Sequence, residues 1–316
     1  MNDLTVLGAG NAARDLINKI RQQDKDCNIA LIDKENYYFS RDDAITYPGD
    51  IKRKIDLGEW ADSVGIEFIN DKVERINSQR RKIYLKQNQA REFQDLIVAT
   101  GLASKKMTIK GEHREGFFYL SDMDSLKVRD LLRVTSEACI YVSTWLGLKL
   151  ALSLVSLGKE VKIVSYSFDF LGQEKERVIE LLKEKNIDLY LNSFIEEAVG
   201  EGMIKAVKIS PLKVFSSQMV FIDSGFNPNL SFFEESIQPK DTIFTEKEGI
   251  YLLGDVNFPN IENQVFFSSN HQRAMTQAGI LASILLTGTR PDLDDLEPKT
   301  EENELNIYID KILQGG

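Results

Sequence analysis

The sequence predicts two doubly wound α/β domains, and three observations carry that prediction. A strand–turn–helix–strand unit opens the chain, and a second unit of the same kind starts near residue 139. Further short apolar segments bracket both units. Alternating segments of this kind bury their apolar faces as a parallel sheet covered by helices.

Each element has its own signal. Residues 4–7 form a short apolar run, and a glycine turn follows. Ala13, Leu16, Ile17 and Ile20 then recur at helical spacing, before the strand Ile29-Ala30-Leu31-Ile32 that ends at Asp33. The second unit repeats this order. It runs through the strand Cys139-Ile140-Tyr141-Val142, a helix through Leu148, Leu150, Ala151 and Leu154, a turn at Gly158 and the strand Val161-Lys162-Ile163-Val164. Other strands are predicted at 67–69, 82–85, 96–99, 219–222 and 250–253, with helices near 175–185 and 272–286. Leu305, Ile309, Ile312 and Leu313 predict a short amphipathic helix in the tail, able to dock on the body or on a partner.

Composition bounds the function. The chain has 316 residues, 42% hydrophobic and 28% charged, which excludes gross disorder. A net charge of −10 argues against nucleic acid and anionic membrane surfaces. Residues 291–316 hold eight acids against two lysines, a net −6. Cys27 and Cys139 stand far apart in no CxxC pair and read as buried, inert thiols. His113 and His271 are the only histidines, too few for a multi-histidine metal site, and no metal is expected. No signal peptide or membrane-spanning run is read, so a cytoplasmic protein without membrane insertion is expected.

The run Gly8-Ala9-Gly10-Asn11-Ala12-Ala13 lies between a strand and a helix. That context is what a dinucleotide loop requires, because the bare spacing recurs by chance. Gly8 permits the tight turn, and Gly10 lets backbone approach a diphosphate. Ala13 is small enough for close helix–strand packing. Free N–H groups at the helix start favour the diphosphate charge. Asp33 can accept from a ribose hydroxyl, with Glu35 as the back-up acid. The competing reading is a purely structural glycine turn.

Three later motifs add to this one. They are Asp95-Leu96-Ile97-Val98-Ala99-Thr100-Gly101, Gly249-Ile250-Tyr251-Leu252-Leu253-Gly254-Asp255-Val256 and Ala274-Met275-Thr276-Gln277-Ala278-Gly279. In this order, from about residue 3 to about 288, the chain resembles the pyridine nucleotide-disulfide oxidoreductase-like flavoproteins, especially the rubredoxin-reductase and nitrite-reductase-like branch. The resemblance implies FAD as cofactor. It implies that Ala99, Thr100 and Gly101 contact the flavin, that Asp255 after Gly254 accepts from the ribityl chain, and that the helix start at Ala274 and Gln277 faces the flavin pyrimidine. It places a backbone contact to adenine at Val73. It also implies two Rossmann-like domains, the second inserted in the first. Residues 1–110 plus 243–290 would bind FAD, 111–242 would form an NAD(P)-binding-like domain, and 291–316 an acidic tail without a C-terminal dimerisation domain. Ser224-Gly225-Phe226-Asn227-Pro228-Asn229 resembles the family's return crossing.

The chain departs from that pattern in three ways. The second unit reads Val142-Ser143-Thr144-Trp145-Leu146-Gly147 where the family has a glycine triplet, and Val164 is followed by Ser165 and Tyr166 in place of a ribose-binding acid. The NAD(P)H site is therefore expected to be lost while the domain is kept. The run Tyr37-Tyr38-Phe39-Ser40-Arg41-Asp42-Asp43 carries no cysteine where thiol-dependent relatives have one. Arg41 is read either as approaching the flavin or its phosphates, or as a solvent-exposed arginine. The chain also ends soon after the flavin domain, which leaves the oligomeric state open.

The preferred reading is an FAD-dependent oxidoreductase or flavin electron-transfer subunit that trades electrons with a protein, such as an iron–sulfur carrier. No side chain is assigned as a catalytic nucleophile or base. His271, just before the Ala274 helix, reads either as near the flavin or as a cap or surface residue. An NAD(P)H-dependent reductase whose loop tolerates Val142 and Thr144 is the alternative. A non-enzymatic flavin-bound scaffold is a further one, and a membrane quinone reductase is disfavoured by the acidic tail.

Overall fold

The computed structural model describes residues 3–50, 52, 54–238, 243–257 and 269–288, except the side chains of 269–271. The expected tail helix and the side chain of His271 lie outside the described residues.

Among these residues, five parallel strands form the first sheet, in the spatial order Ile250–Leu252, Asp95–Val98, Leu4–Leu7, Ile29–Asp33, Glu67–Asn70. The three inner strands are buried almost throughout, as expected when both faces of a parallel sheet are covered. On one face lie the helices Asn11–Gln23 and Ser269–Thr287. Ala12, Ala13, Leu16 and Ile17 share a core there with Ala274, Ala278, Leu281 and Ala282, so small residues let the two helices approach closely. The other face is covered by an antiparallel ribbon of Val73–Asn77, Lys82–Leu85 and Arg91–Glu92.

A second parallel sheet runs in the order Phe117–Tyr119, Met219–Asp223, Glu137–Val142, Glu160–Ser165, Asp188–Leu191. Residues of the helices Ser125–Val134, Trp145–Ser156 and Lys175–Glu184 build its larger core. An antiparallel ribbon of Ile195–Val199, Ala206–Ile209 and Lys213–Ser216 packs on the opposite face.

Leu102–Ser104 and Phe226–Pro228 pair antiparallel where the chain leaves the first sheet and returns to it. Reciprocal hydrogen bonds between Ser104 and Ser121 (2.8 and 3.1 Å) and a bond from the Ser224 hydroxyl to the Lys105 carbonyl tie this crossing together. The first sheet thus takes strands from both ends of the described chain, and the second takes those between. Both cysteines are buried and unpaired in disulfides. Among the described residues, no helix is long and apolar enough to cross a membrane.

Candidate functional site

A cleft of ≈ 820 Å³ opens at the carboxyl ends of the first sheet's strands and continues to the second domain. This is the place where an open parallel sheet binds ligands. Its floor is the turn after Leu4–Leu7. Gly8 has φ +89, and a Cβ there would stand 2.6 Å from the Ala99 carbonyl oxygen, so the turn itself demands glycine. Gly10 differs. It has φ −63 and ψ 175, open to any residue, and a Cβ there would meet only the Ala99 oxygen at 3.9 Å. Nothing in the protein requires glycine at 10, and the freed space belongs to the cleft.

The helix Asn11–Gln23 starts at this point with no side-chain cap and no acid in its first turn. Its first N–H groups are left to partners from outside the helix, the Tyr38 hydroxyl standing against that of Asn11. Arg14 sits beside them. Its Nε donates to the Ala9 carbonyl (3.2 Å) and its Nη2 to Asn11 Oδ1 (2.6 Å), and its guanidinium lies 4.5 Å from the centre of the Tyr38 ring. Burial pulls the Arg14 pKa down and pushes that of Tyr38 up.

Asp33, at the end of the second strand, accepts from Ala9 N–H (2.7 Å) through Oδ2 and from Glu35 N–H (3.0 Å) through Oδ1. Burial holds its carboxyl above the usual range, against the pull of these two donors. The Ala99-Thr100-Gly101 segment forms another wall. The Thr100 hydroxyl donates to the Asn229 carbonyl (2.8 Å) and Asn229 N–H to the Gly101 carbonyl (2.9 Å), which locks the wall to the return crossing.

Arg41 and Asp255 face each other across the cleft at 3.7 Å. Arg41 also donates to the Leu102 carbonyl (3.3 Å) and lies over the Phe226 ring, 5.4 Å from its centre. It lines the cleft, with 28% of its side chain exposed. Gly254, at φ +77, makes the turn that presents Asp255, and its N–H donates to Gln277 Oε1 (2.9 Å).

Ten of the residues singled out from sequence line this one cleft: Gly8, Gly10, Asp33, Arg41, Ala99, Thr100, Gly101, Gly254, Asp255 and Ala274. Four stand elsewhere. Ala13 is fully buried between the helices, and Gln277 is buried behind Gly254. Glu35 is exposed beyond the lining, and Val73 opens its ribbon strand outside it. Sequence reasoning missed Arg14, Phe226 and Leu146 as lining residues and gave Tyr38 no role. Arg14 carried one signal: a cation in the first turn of a helix whose start otherwise welcomes anions.

The second domain contributes Leu120, Ser121, Met123, Ser125 and Leu146 to the far wall. The helix Trp145–Ser156 packs there, with Lys149 ion-paired to Asp42 of the short helix Arg41–Thr46. The crevice at the carboxyl edge of the second sheet is built differently from the first. There the loop N–H groups converge on the buried carboxylate of Asp223.

With this geometry in place, comparison with known proteins decides the family. The pyridine nucleotide-disulphide oxidoreductase family matches residues 2–278. The chain belongs to that family. It is 26% identical over 222 residues to a 34.2 kDa protein of the rubredoxin operon of Clostridium pasteurianum, covering 63% of this chain and 69% of that one. It is 21% identical over 242 residues to the rubredoxin–NAD(+) reductase of Pseudomonas putida, covering 71% of this chain and 62% of that one. The NAD-dependent persulfide reductase from A. fulgidus superposes with a TM-score of 0.76 at 19% identity, over 91% of this chain and 60% of that one, which shows a shared fold. The chain thus spans less than two thirds of the latter two proteins. The two-domain α/β architecture is the Rossmann-like one of this oxidoreductase family.

Proposed function

We propose that this chain is an FAD-dependent oxidoreductase that exchanges electrons with a small protein carrier of the iron–sulfur kind, and that NAD(P)H is not its electron donor. The observation that carries the FAD assignment is Gly10. It is a glycine with ordinary backbone angles and open space above it, set at an uncapped helix start inside a cleft shared with Asp33, Arg41 and Asp255. FAD, when bound, supplies the redox chemistry, and the protein supplies grip and orientation.

In this reading, the N–H groups from Gly10 to Ala12 hold the diphosphate, with Arg14 beside them. Asp33 accepts from the adenosine ribose, and Glu35 offers a second carboxylate beside it. Val73 backs the adenine through its backbone. Asp255 would accept from the ribityl chain, and Arg41, 3.7 Å from it, would lie beside the cofactor. Ala99, Thr100 and Gly101 would wall the flavin, and Ala274 would face its pyrimidine end, with Gln277 behind it holding Gly254. No thiol takes part, since Cys27 and Cys139 are buried in cores away from the cleft.

The donor assignment rests on the second domain. Val142 and Thr144 stand where backbone must approach a diphosphate, and Ser165 and Tyr166 offer no carboxylate to a ribose. The name of the P. putida relative favours a second reading, an NAD(P)H-dependent reductase of a small carrier. The relative from a rubredoxin operon supports the carrier class in either case. A cytoplasmic setting is part of the proposal, and the net charge of −10 argues against nucleic acid.

The test is spectroscopic. The purified chain is expected to show the visible bands of oxidised flavin, or to acquire them on incubation with FAD. Under anaerobic conditions, a reduced rubredoxin or ferredoxin is expected to bleach them. A colourless protein that never takes up FAD would sink the assignment.

A further inference from the structure

We propose that the side chain of Asp223 is an internal anion that stands in the diphosphate seat of the second domain, so that the chain closes this seat with its own carboxylate. The proposal rests on the reading that NAD(P)H is not the donor, and it supplies a physical reason for it.

The place is fixed by topology. From Glu137–Val142 the chain moves to Glu160–Ser165 on one side, while Met219–Asp223 pairs on the other, with Val142 opposite Asp223. That reversal of strand order is where a doubly wound sheet opens its ligand crevice. Asp223 is the last residue of its strand and is completely buried. Its Oδ2 accepts from Thr144 N–H at 2.7 Å, Gly147 N–H at 3.1 Å and Ser143 N–H at 3.3 Å. The Thr144 hydroxyl lies 2.9 Å from both carboxylate oxygens, and the Ser143 hydroxyl donates to the Asp223 carbonyl at 2.6 Å.

These donors belong to the turn and first residues of the helix Trp145–Ser156, the groups that a dinucleotide diphosphate engages in this fold. Every hydrogen-bond partner of the carboxylate is an N–H or O–H group, an arrangement that suits the ionised form. The helix dipole adds to it. Burial raises the carboxyl's pKa, and the Thr144, Gly147 and Ser143 N–H groups, which cannot accept a proton from it, oppose that rise and favour the charged form.

Gly147 supports the same conclusion. A Cβ at 147 would stand 2.6 Å from Asp223 Oδ2 and 3.0 Å from Asp223 Cβ. The one glycine left of the triplet is thus required by the internal carboxylate. Leu146, between these donors, forms part of the flavin-side wall, so the same network positions that wall.

The experiment uses the full chain with its cofactor as purified, and it needs no redox reaction. Thermal melting of wild type, Asp223→Ala and Asp223→Asn is followed against sodium formate, with sodium chloride at equal ionic strength as control. Asp223→Ala is expected to melt lower by roughly 5–15 °C, the scale of an opened buried network. Formate is expected to recover part of that loss saturably, because it returns a carboxylate to the same donors. Wild type is expected to respond to neither salt, and to inorganic pyrophosphate no more than to chloride. Asp223→Asn can keep an oxygen for the three N–H donors and its NH₂ can donate to the Thr144 hydroxyl, so it removes the charge alone; it is expected to be destabilised, less than Asp223→Ala, and not rescued by formate. It serves as the second variant should Asp223→Ala fail to fold.

An Asp223→Ala or Asp223→Asn protein as stable as wild type would overturn the proposal, and so would equal rescue by chloride. Saturable stabilisation of wild type by pyrophosphate would overturn it as well. The two readings fail separately. If NADH bleached the flavin while formate still rescued Asp223→Ala, the donor assignment would fall and the role of the carboxylate would stand. No bleaching and no rescue would give the reverse.

Discussion

Replacing Gly10 with valine separates what the cofactor needs from what the fold needs. The backbone at 10 lies in a region open to every residue, and the nearest atom to a new Cβ is 3.9 Å away. Valine therefore costs the empty protein little. Helix N-caps prefer glycine to valine by about 1 kcal/mol, or roughly 2–4 °C in melting temperature. The branched side chain projects into the space a diphosphate would fill and displaces it from the N–H groups of Asn11 and Ala12. Charge-assisted hydrogen bonds contribute about 1.5–3 kcal/mol each, so losing two removes about 3–6 kcal/mol. That is roughly a 10²- to 10⁴-fold loss of FAD affinity. The control is Gly8→Ala, at φ +89 with its Cβ 2.6 Å from the Ala99 oxygen, which is expected to damage the fold itself. The assay is FAD titration of the apoprotein by flavin fluorescence, paired with melting curves recorded without flavin. A Gly10→Val protein that binds FAD as tightly as wild type would refute the reasoning. So would one that melts as low as Gly8→Ala.

Further outcomes are expected. Asp33 accepts ribose hydroxyls more strongly when ionised, and burial raises its pKa above 3.8, so FAD affinity should weaken as pH falls from 7 through that raised value. Asp33→Asn should weaken binding at neutral pH by about 1.5–3 kcal/mol and abolish the step; an identical step in the variant would remove Asp33 as its source. Burial raises both cysteine pKa values, so a disulfide reagent should label neither thiol rapidly in the native protein and both after denaturation. Fast native labelling would show a thiol more accessible than this burial allows. The tail from residue 291 onward, net −6, is expected to contribute to partner binding. Truncation after Thr289 should leave the flavin spectrum intact and weaken association with a co-purifying carrier, whereas unchanged association would reject that role.

The first unit is legible in the sequence because each of its signals is local. Leu4–Leu7, Gly8, the apolar stripe from Ala13 to Ile20 and the strand ending at Asp33 occupy one continuous stretch. Asp255 and Ala274 are legible only through the order of motifs, since nothing local brings them to residue 8. The antiparallel ribbon from Ile195 to Ser216 was not read, because its strands are short and carry little alternation. Arg14 was overlooked because it lies off the apolar stripe and reads as a solvated helix residue. Asp223 was hidden for another reason. It closes a strand of buried residues and looks like an ordinary strand end, and its partners lie 76 to 80 positions away. Only the pairing of Met219–Asp223 with Glu137–Val142 brings its carboxylate to the loop.

The proposal that the chain's FAD exchanges electrons with a protein carrier and not with a nicotinamide is tested most directly by one anaerobic titration. The FAD-loaded protein receives excess NADH, then NADPH, then a reduced rubredoxin or ferredoxin, while the visible absorption of oxidised flavin is followed. Slow or absent bleaching by both nicotinamides and rapid bleaching by the iron–sulfur protein are expected. Rapid, stoichiometric bleaching by NADH or NADPH would contradict the proposal.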